Sequence, residues 1–221
     1  MRSVAVLVVV AACLLGAAAA ASGAPLSPDN QAILAAGLLR RSDFPAGWAT
    51  GPSGGQVNFA RLGPTCRPLA VALSRRIGRQ QSLGFEDRAT GDRADDTVVL
   101  YETPAGTTAL FDTVAAPSTL ACYQRSARLA LAKQGGKGTL RLTVESVAPA
   151  SVAPAGDQSL SYEATVHATA SGQTATVYEQ AVFVRVGRAA VSFTFVTDQP
   201  SAAAGFTPQI DAVVARLQAA E

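Results

Sequence analysis

Among 221 residues the chain has one histidine, His167, and three cysteines, Cys13, Cys66 and Cys122. Acid–base or nucleophilic catalysis needs titratable groups converging in a pocket, and a transition-metal site needs several His or Cys donors. Cys13 lies in an N-terminal apolar run, which leaves Cys66 and Cys122 to pair with each other. A His/Cys metal centre is thereby excluded, and no acidic loop has the EF-hand pattern. Gly51-Pro52-Ser53-Gly54-Gly55 falls in a loop marked by glycine, serine and proline, not on the strand-to-helix turn of a Gly-x-Ser-x-Gly nucleophile elbow. Gly135-Gly136-Lys137-Gly138-Thr139 has the composition of a phosphate loop but not its spacing, and it leads from a helical segment into a strand, the reverse of the required order. It reads as a turn. Glu145 and Glu163 stand on polar faces of predicted strands; a glycosidase works with two carboxylates, but acids in such positions are ordinarily solvated. The expectation is a non-enzyme with no cofactor and no metal.

The N-terminus reads as an export signal. Arg2 is followed by the apolar run Val4 to Leu15, too short to span a bilayer, and by the small residues Gly16 to Ala24 with A-x-A-type cleavage positions. Residues 1–24 are thus expected to be a signal peptide, and 25–221 a single domain. Val10-Ala11-Ala12-Cys13 also matches a loose lipobox, so membrane attachment is expected only if Cys13 is lipidated. Either route gives a secreted or extracytoplasmic cell-surface protein. A net charge of +2 argues against a nucleic-acid partner, because that binding is driven by phosphate neutralisation. Lys133 and Lys137 are the only lysines against many arginines, and alanine is abundant, the usage of a GC-rich genome and a fit to an actinobacterial source.

Ser27 and Pro28 have the signature of a helix start, with an end expected near Arg41, before Phe44-Pro45-Ala46-Gly47-Trp48. Trp48 is read as pinning the helix end to the core, or as a stacking platform for a ligand. A second helix after Pro64 carries Cys66 and the stripe Leu69, Leu73, Ile77. Its arginines Arg67, Arg75, Arg76 and Arg79 form either a patch for an anionic envelope component or a solvated face balanced by Glu86, Asp87, Asp92, Asp95 and Asp96. Thr97 to Thr103 reads as a strand. Two further helices follow, one with Thr107, Leu110, Phe111 and Val114 at helical spacing, the other from Pro117 with Cys122 in its first turn. A Cys66–Cys122 bridge would staple two helices.

The period then changes to two. Leu140, Leu142 and Val144 alternate with Arg141, Thr143 and Glu145, and Leu160 to Ala168 alternates with Ser161, Glu163, Thr165 and His167. Turns at Ser171-Gly172-Gln173 and Gly187-Arg188 link these to two more strands, an antiparallel meander. A last helix has Thr207 as its expected cap, Pro208 at its first position, and Ile210, Val213, Val214 and Leu217 on one side. The fold class is α+β: an antiparallel sheet ending in a C-terminal meander, one face polar, packed by several helices with one disulfide.

The run Leu39-Arg40-Arg41-Ser42-Asp43-Phe44-Pro45-Ala46-Gly47-Trp48, Cys66 in a helix, Tyr101-Glu102-Thr103-Pro104, Cys122, Gly156-Asp157 and Val184-Arg185-Val186-Gly187 together carry a family likeness. The chain resembles actinobacterial secreted proteins and lipoproteins similar to the extracellular sensor domain of the mycobacterial serine/threonine kinase PknH. The resemblance implies a sheet with flanking helices, a cleft, and a sensory or ligand-binding role without catalysis; kinase sensors of this type carry two disulfides, whereas this chain has cysteines for one. It further implies that the cleft takes a small molecule or a cell-envelope component. The polar sheet face supplies Arg141, Glu163 and His167 as candidate cleft residues, and Trp48 is a separate candidate for ligand stacking. The alternative is a structural or protein–protein interaction protein of the envelope.

Overall fold

The computed structural model describes residues 25–221 apart from 55–56, 135–140, 171–172 and 201. The expected signal peptide with Cys13, the Gly135–Thr139 turn, Leu140 and the turn residues 171–172 lie outside the described residues. So do the side chains of residues 130–134 and 202–203.

Helix α1 spans Pro28–Ala36, with Ser27 Oγ accepting the Asn30 amide at 3.3 Å. It stops several residues short of Arg41. Gly37 comes so close to the sheet that a Cβ there would lie 2.8 Å from Val98, so the chain leaves the helix where only glycine fits. A 3-10 helix, Arg41–Asp43, replaces the expected last turn. Strand β1 is Trp48–Gly51; after a 3-10 turn at Pro64–Cys66, helix α2 is Arg67–Ser74. Leu69 and Leu73 are buried as the stripe requires, but Ile77 lies past the helix end.

Strands β2 (Gly78–Gln81) and β3 (Gly84–Asp87) pair successively with one edge of β4 (Arg93–Leu100). β4 starts earlier than its β-branched run, because Asp95 and Asp96 belong to it. Helices α3 (Pro104–Ala115) and α4 (Pro117–Gln134) follow, with Thr107, Leu110, Phe111 and Val114 buried. The meander is as expected: β5 (Arg141–Ala150), β6 (Gln158–Ala170), β7 (Gln173–Val186) and β8 (Ala189–Thr197). Helix α5 is Thr207–Ala220; Thr207 is its first residue rather than its cap, and its hydroxyl donates to the Ala204 carbonyl at 3.1 Å.

The strands form one antiparallel sheet in the order β1-β3-β4-β8-β7-β6-β5, with β2 beside β3 along β4. Helices cover both faces. On one, Ile33 and Leu34 of α1 and Ile210, Val213 and Leu217 of α5 pack on Val98, Val184, Val191, Phe193 and Phe195. On the other, α2, α3 and α4 bring Leu69, Leu73, Leu110, Phe111 and Tyr123 onto Val99, Phe183 and Ala190. The expectation of one polar face is corrected for the sheet centre. Residues 179–184 and 189–195 are buried without alternation, which is the pattern of strands covered on both sides. The polar face survives only where β5, β6 and the start of β7 extend beyond α1 and α5.

The disulfide is present, Cys66 to Cys122 with a Cα–Cα distance of 4.9 Å, and ties the start of α2 to the first turns of α4. Disulfides form and persist in oxidising, extracytoplasmic compartments. Among the described residues no helix is long and apolar enough to cross a membrane.

Candidate functional site

Helices α2 and α3 lie side by side over the sheet and enclose a groove of about 450 Å³. α2 contributes Pro68, Val71 and Ala72, with Arg75 capping its end, and α3 contributes Gly106, Ala109, Leu110 and Thr113. Both sets have i, i+3, i+4, i+7 spacing, so each is one stripe of its helix. The groove exists because small residues, Ala72, Gly106 and Ala109, stand where larger ones would interdigitate. Gly106 also lets α3 approach β4: a Cβ there would lie 2.9 Å from the Tyr101 ring.

The polar groups of the walls are turned to structural use. The Thr113 hydroxyl donates back to the Ala109 carbonyl at 2.8 Å. The buried Tyr101 hydroxyl donates to the Ala72 carbonyl at 2.8 Å, and burial pushes its pKa up to about 12, so it stays neutral. Arg67 and Arg75 stand at the rim, exposed, and among the described residues neither has a carboxylate within 4 Å. The site therefore offers an apolar floor with unneutralised cationic edges, which suits a ligand with an apolar body and an anionic group.

The arginine patch thus divides. Arg67 and Arg75 rim the groove, whereas Arg76 donates to the Leu73 carbonyl and Arg79 to Gln81. The acids expected to balance them are used elsewhere: Glu86 pairs with Arg93 at 3.2 Å, Asp95 accepts from the Gly54 amide at 3.1 Å, and Asp96 is in the core.

The structure brings Arg141, Glu163 and His167 to one face of β5 and β6, remote in the sheet order from β1, where Trp48 begins. Arg141 is exposed; Glu163 and His167 are half-buried. His167 lies between Glu145, whose Oε2 is 2.9 Å from Nε2, and Thr176, whose Oγ1 is 3.2 Å from Nδ1. Glu145 alternates onto the same face as Thr143, which pairs with His167, and sits at the register shift between Val144 and Ser146. Its side chain is 58% exposed, unlike the buried acid that a carboxylate hydrolase needs. Trp48 does not join this face. It stacks on Phe44 at 4.6 Å and meets Phe206 edge-on at 5.8 Å, the core-pinning arrangement. Among the described residues no group of three or more His, Cys, Asp or Glu is placed to hold a metal ion.

One group that the sequence reading placed on the surface is central to the core. Asp96 is fully buried on β4; its Oδ1 accepts the Leu39 amide at 3.0 Å, while Oδ2 has no hydrogen-bond partner. Burial pushes its pKa up to about 7, against the smaller opposing effect of hydrogen bonds from Ser82 and Leu39. Nearby, Arg216 of α5 clamps the same chain segment, donating to both Asp43 oxygens at 2.8 and 2.9 Å and to the Ala36 and Leu38 carbonyls. The Leu39–Trp48 stretch that carried the family likeness is therefore held by α5 and β4.

No protein-family model and no curated protein matches the chain. Among solved structures it is similar to the extracellular domain of PknH from Mycobacterium tuberculosis, at 12% identity and a TM-score of 0.40, over 89% of this chain and 96% of that one. It is also similar to cyanobacterial PsbP from Synechocystis sp. PCC 6803, at 14% identity and a TM-score of 0.35, over 80% of this chain and 88% of that one. Likenesses of this size leave the function to be read from the site.

Proposed function

We propose that the protein is an exported, non-catalytic binding domain, secreted or held at the cell surface, whose ligand is an anionic amphiphile of the cell envelope seated between α2 and α3. One observation carries this reading: an apolar groove of about 450 Å³ with Arg67 and Arg75 on its rim, neither paired with an acid among the described residues. Its volume falls in the range of small-ligand sites. A disulfide and a hydrogen bond from Tyr101 fix α2, so the groove is largely formed before a ligand arrives, which lowers the ordering cost of binding. Decyl phosphate is the test probe. It should raise the melting temperature in a dose-dependent way, because a ligand of the native state alone stabilises that state. The effect should vanish in Ala109→Trp, which fills the groove from an exposed position, and weaken in Arg67→Ala. A shift that survives Ala109→Trp would put the ligand elsewhere.

A second reading, docking of another envelope protein, is supported by the open polar face bearing Arg141, Glu163 and His167. Those residues are proposed as its contacts. Arg141→Glu should then disturb partner capture and leave decyl phosphate binding unchanged.

A further inference from the structure

A second groove, about 530 Å³, flanks α2 on its other side, lined by Ala60, Ala70 and Ser74. Pro64, Arg67 and Val71 line both grooves, so they form a crest with an apolar trough on each side. Val71 is 45% exposed, an apolar side chain left bare at the top of that crest. Arg67 stands on the crest between Pro64 and Val71, and Arg125 of α4 reaches the Pro64 end: a Cβ at Gly63 would lie 3.9 Å from its guanidinium. Neither Arg67 nor Arg125 has a carboxylate within 4 Å among the described residues.

Resting on the groove reading above, we infer that the site takes a two-chain anionic amphiphile, its phosphate on Arg67 and Arg125 and one apolar chain in each trough. The charge and the shape point the same way. Guanidinium groups bind phosphate oxygens in pairs, and Arg67 on the crest with Arg125 beside its Pro64 end concentrates positive charge on that side. A single chain would fill one trough and leave Val71 and the other in water, whereas a pair of chains straddling α2 covers the crest. The phosphate alone would gain the charge contacts but none of the apolar burial.

Calorimetry on the oxidised protein with three monomeric probes separates these cases: inorganic phosphate, hexyl phosphate and dihexanoyl phosphatidate. The two-chain probe should bind at least about tenfold tighter than hexyl phosphate, the equivalent of burying two further methylenes. Inorganic phosphate should not bind measurably. Ser74→Trp, at an exposed position of the second trough, should reduce the two-chain probe to the affinity of the one-chain probe. Equal affinity for one and two chains, no effect of Ser74→Trp, or phosphate binding as tightly as the lipid would each overturn the two-chain inference. If Ala109→Trp still abolishes hexyl phosphate binding in that event, the groove reading stands; if it has no effect on any probe, both fall.

Discussion

Replacing Asp96 with asparagine should make the protein's stability less dependent on pH and raise it above neutrality. The carboxyl is raised from 3.8 to about 7 in the folded state because it is fully buried, with Oδ2 unpartnered. An acid with a raised folded pKa binds its proton more tightly when native, so the unfolded chain releases that proton first. Below the unfolded pKa this group makes no difference. Between the two values stability falls by about 1.4 kcal/mol per pH unit, and above the folded pKa the loss levels off at about 4 kcal/mol. From pH 5 to pH 8 the expected loss is about 2–3 kcal/mol. Urea unfolding at those pH values, for wild type and Asp96→Asn, isolates the term because every other titrating group is common to both. Asparagine keeps an acceptor for the Leu39 amide, so the variant should fold and lack this loss. Parallel pH profiles for the two proteins would refute the reasoning and imply that Asp96 is solvated or paired.

Two other perturbations test the scaffold. Reducing Cys66–Cys122, or replacing both residues with serine, should cost about 4 kcal/mol in the chain-entropy model for a sequence separation of 56, read by urea unfolding. Because α2 has only eight residues and is marginal alone, the same change should also weaken decyl phosphate binding, checked by calorimetry. Arg216→Met should destabilise by about 3 kcal/mol, since it strands a largely buried Asp43 carboxylate, while Arg216→Met with Asp43→Leu should lose less than the two single changes summed.

Several elements could be read directly because local pattern and tertiary burial agree. The stripe of α5, the alternation of β5 and β6 and the pairing of Cys66 with Cys122 are cases where one period or one pair admits one arrangement. Strands β2 and β3 were illegible: Gly78–Gln81 and Gly84–Asp87 show no alternation and are strands because β4 needs a partner along that edge. The acid of Asp96 looked like surface charge beside Asp95, and only the approach of Leu39 across the core makes it a buried acceptor. The groove was half legible. Its arginines read either as an anionic-ligand patch or as a solvated face balanced by the acids that follow, and the stripes Pro68 to Arg75 and Gly106 to Thr113 are visible as spacing, but that the two stripes face each other is a property of the assembled layer. Arg141, Glu163 and His167 do share a face, as alternation requires, whereas Trp48 stands apart from them because its strand joins the sheet at the far edge.

The measurement that bears most directly on the binding site is an amide chemical-shift map of the oxidised protein titrated with decyl phosphate. Saturable shifts concentrated in residues 67–75 and 106–113, with little change on β5 and β6, are expected. Shifts centred on Arg141, Glu163 and His167, with the α2 and α3 amides unmoved, would contradict that placement.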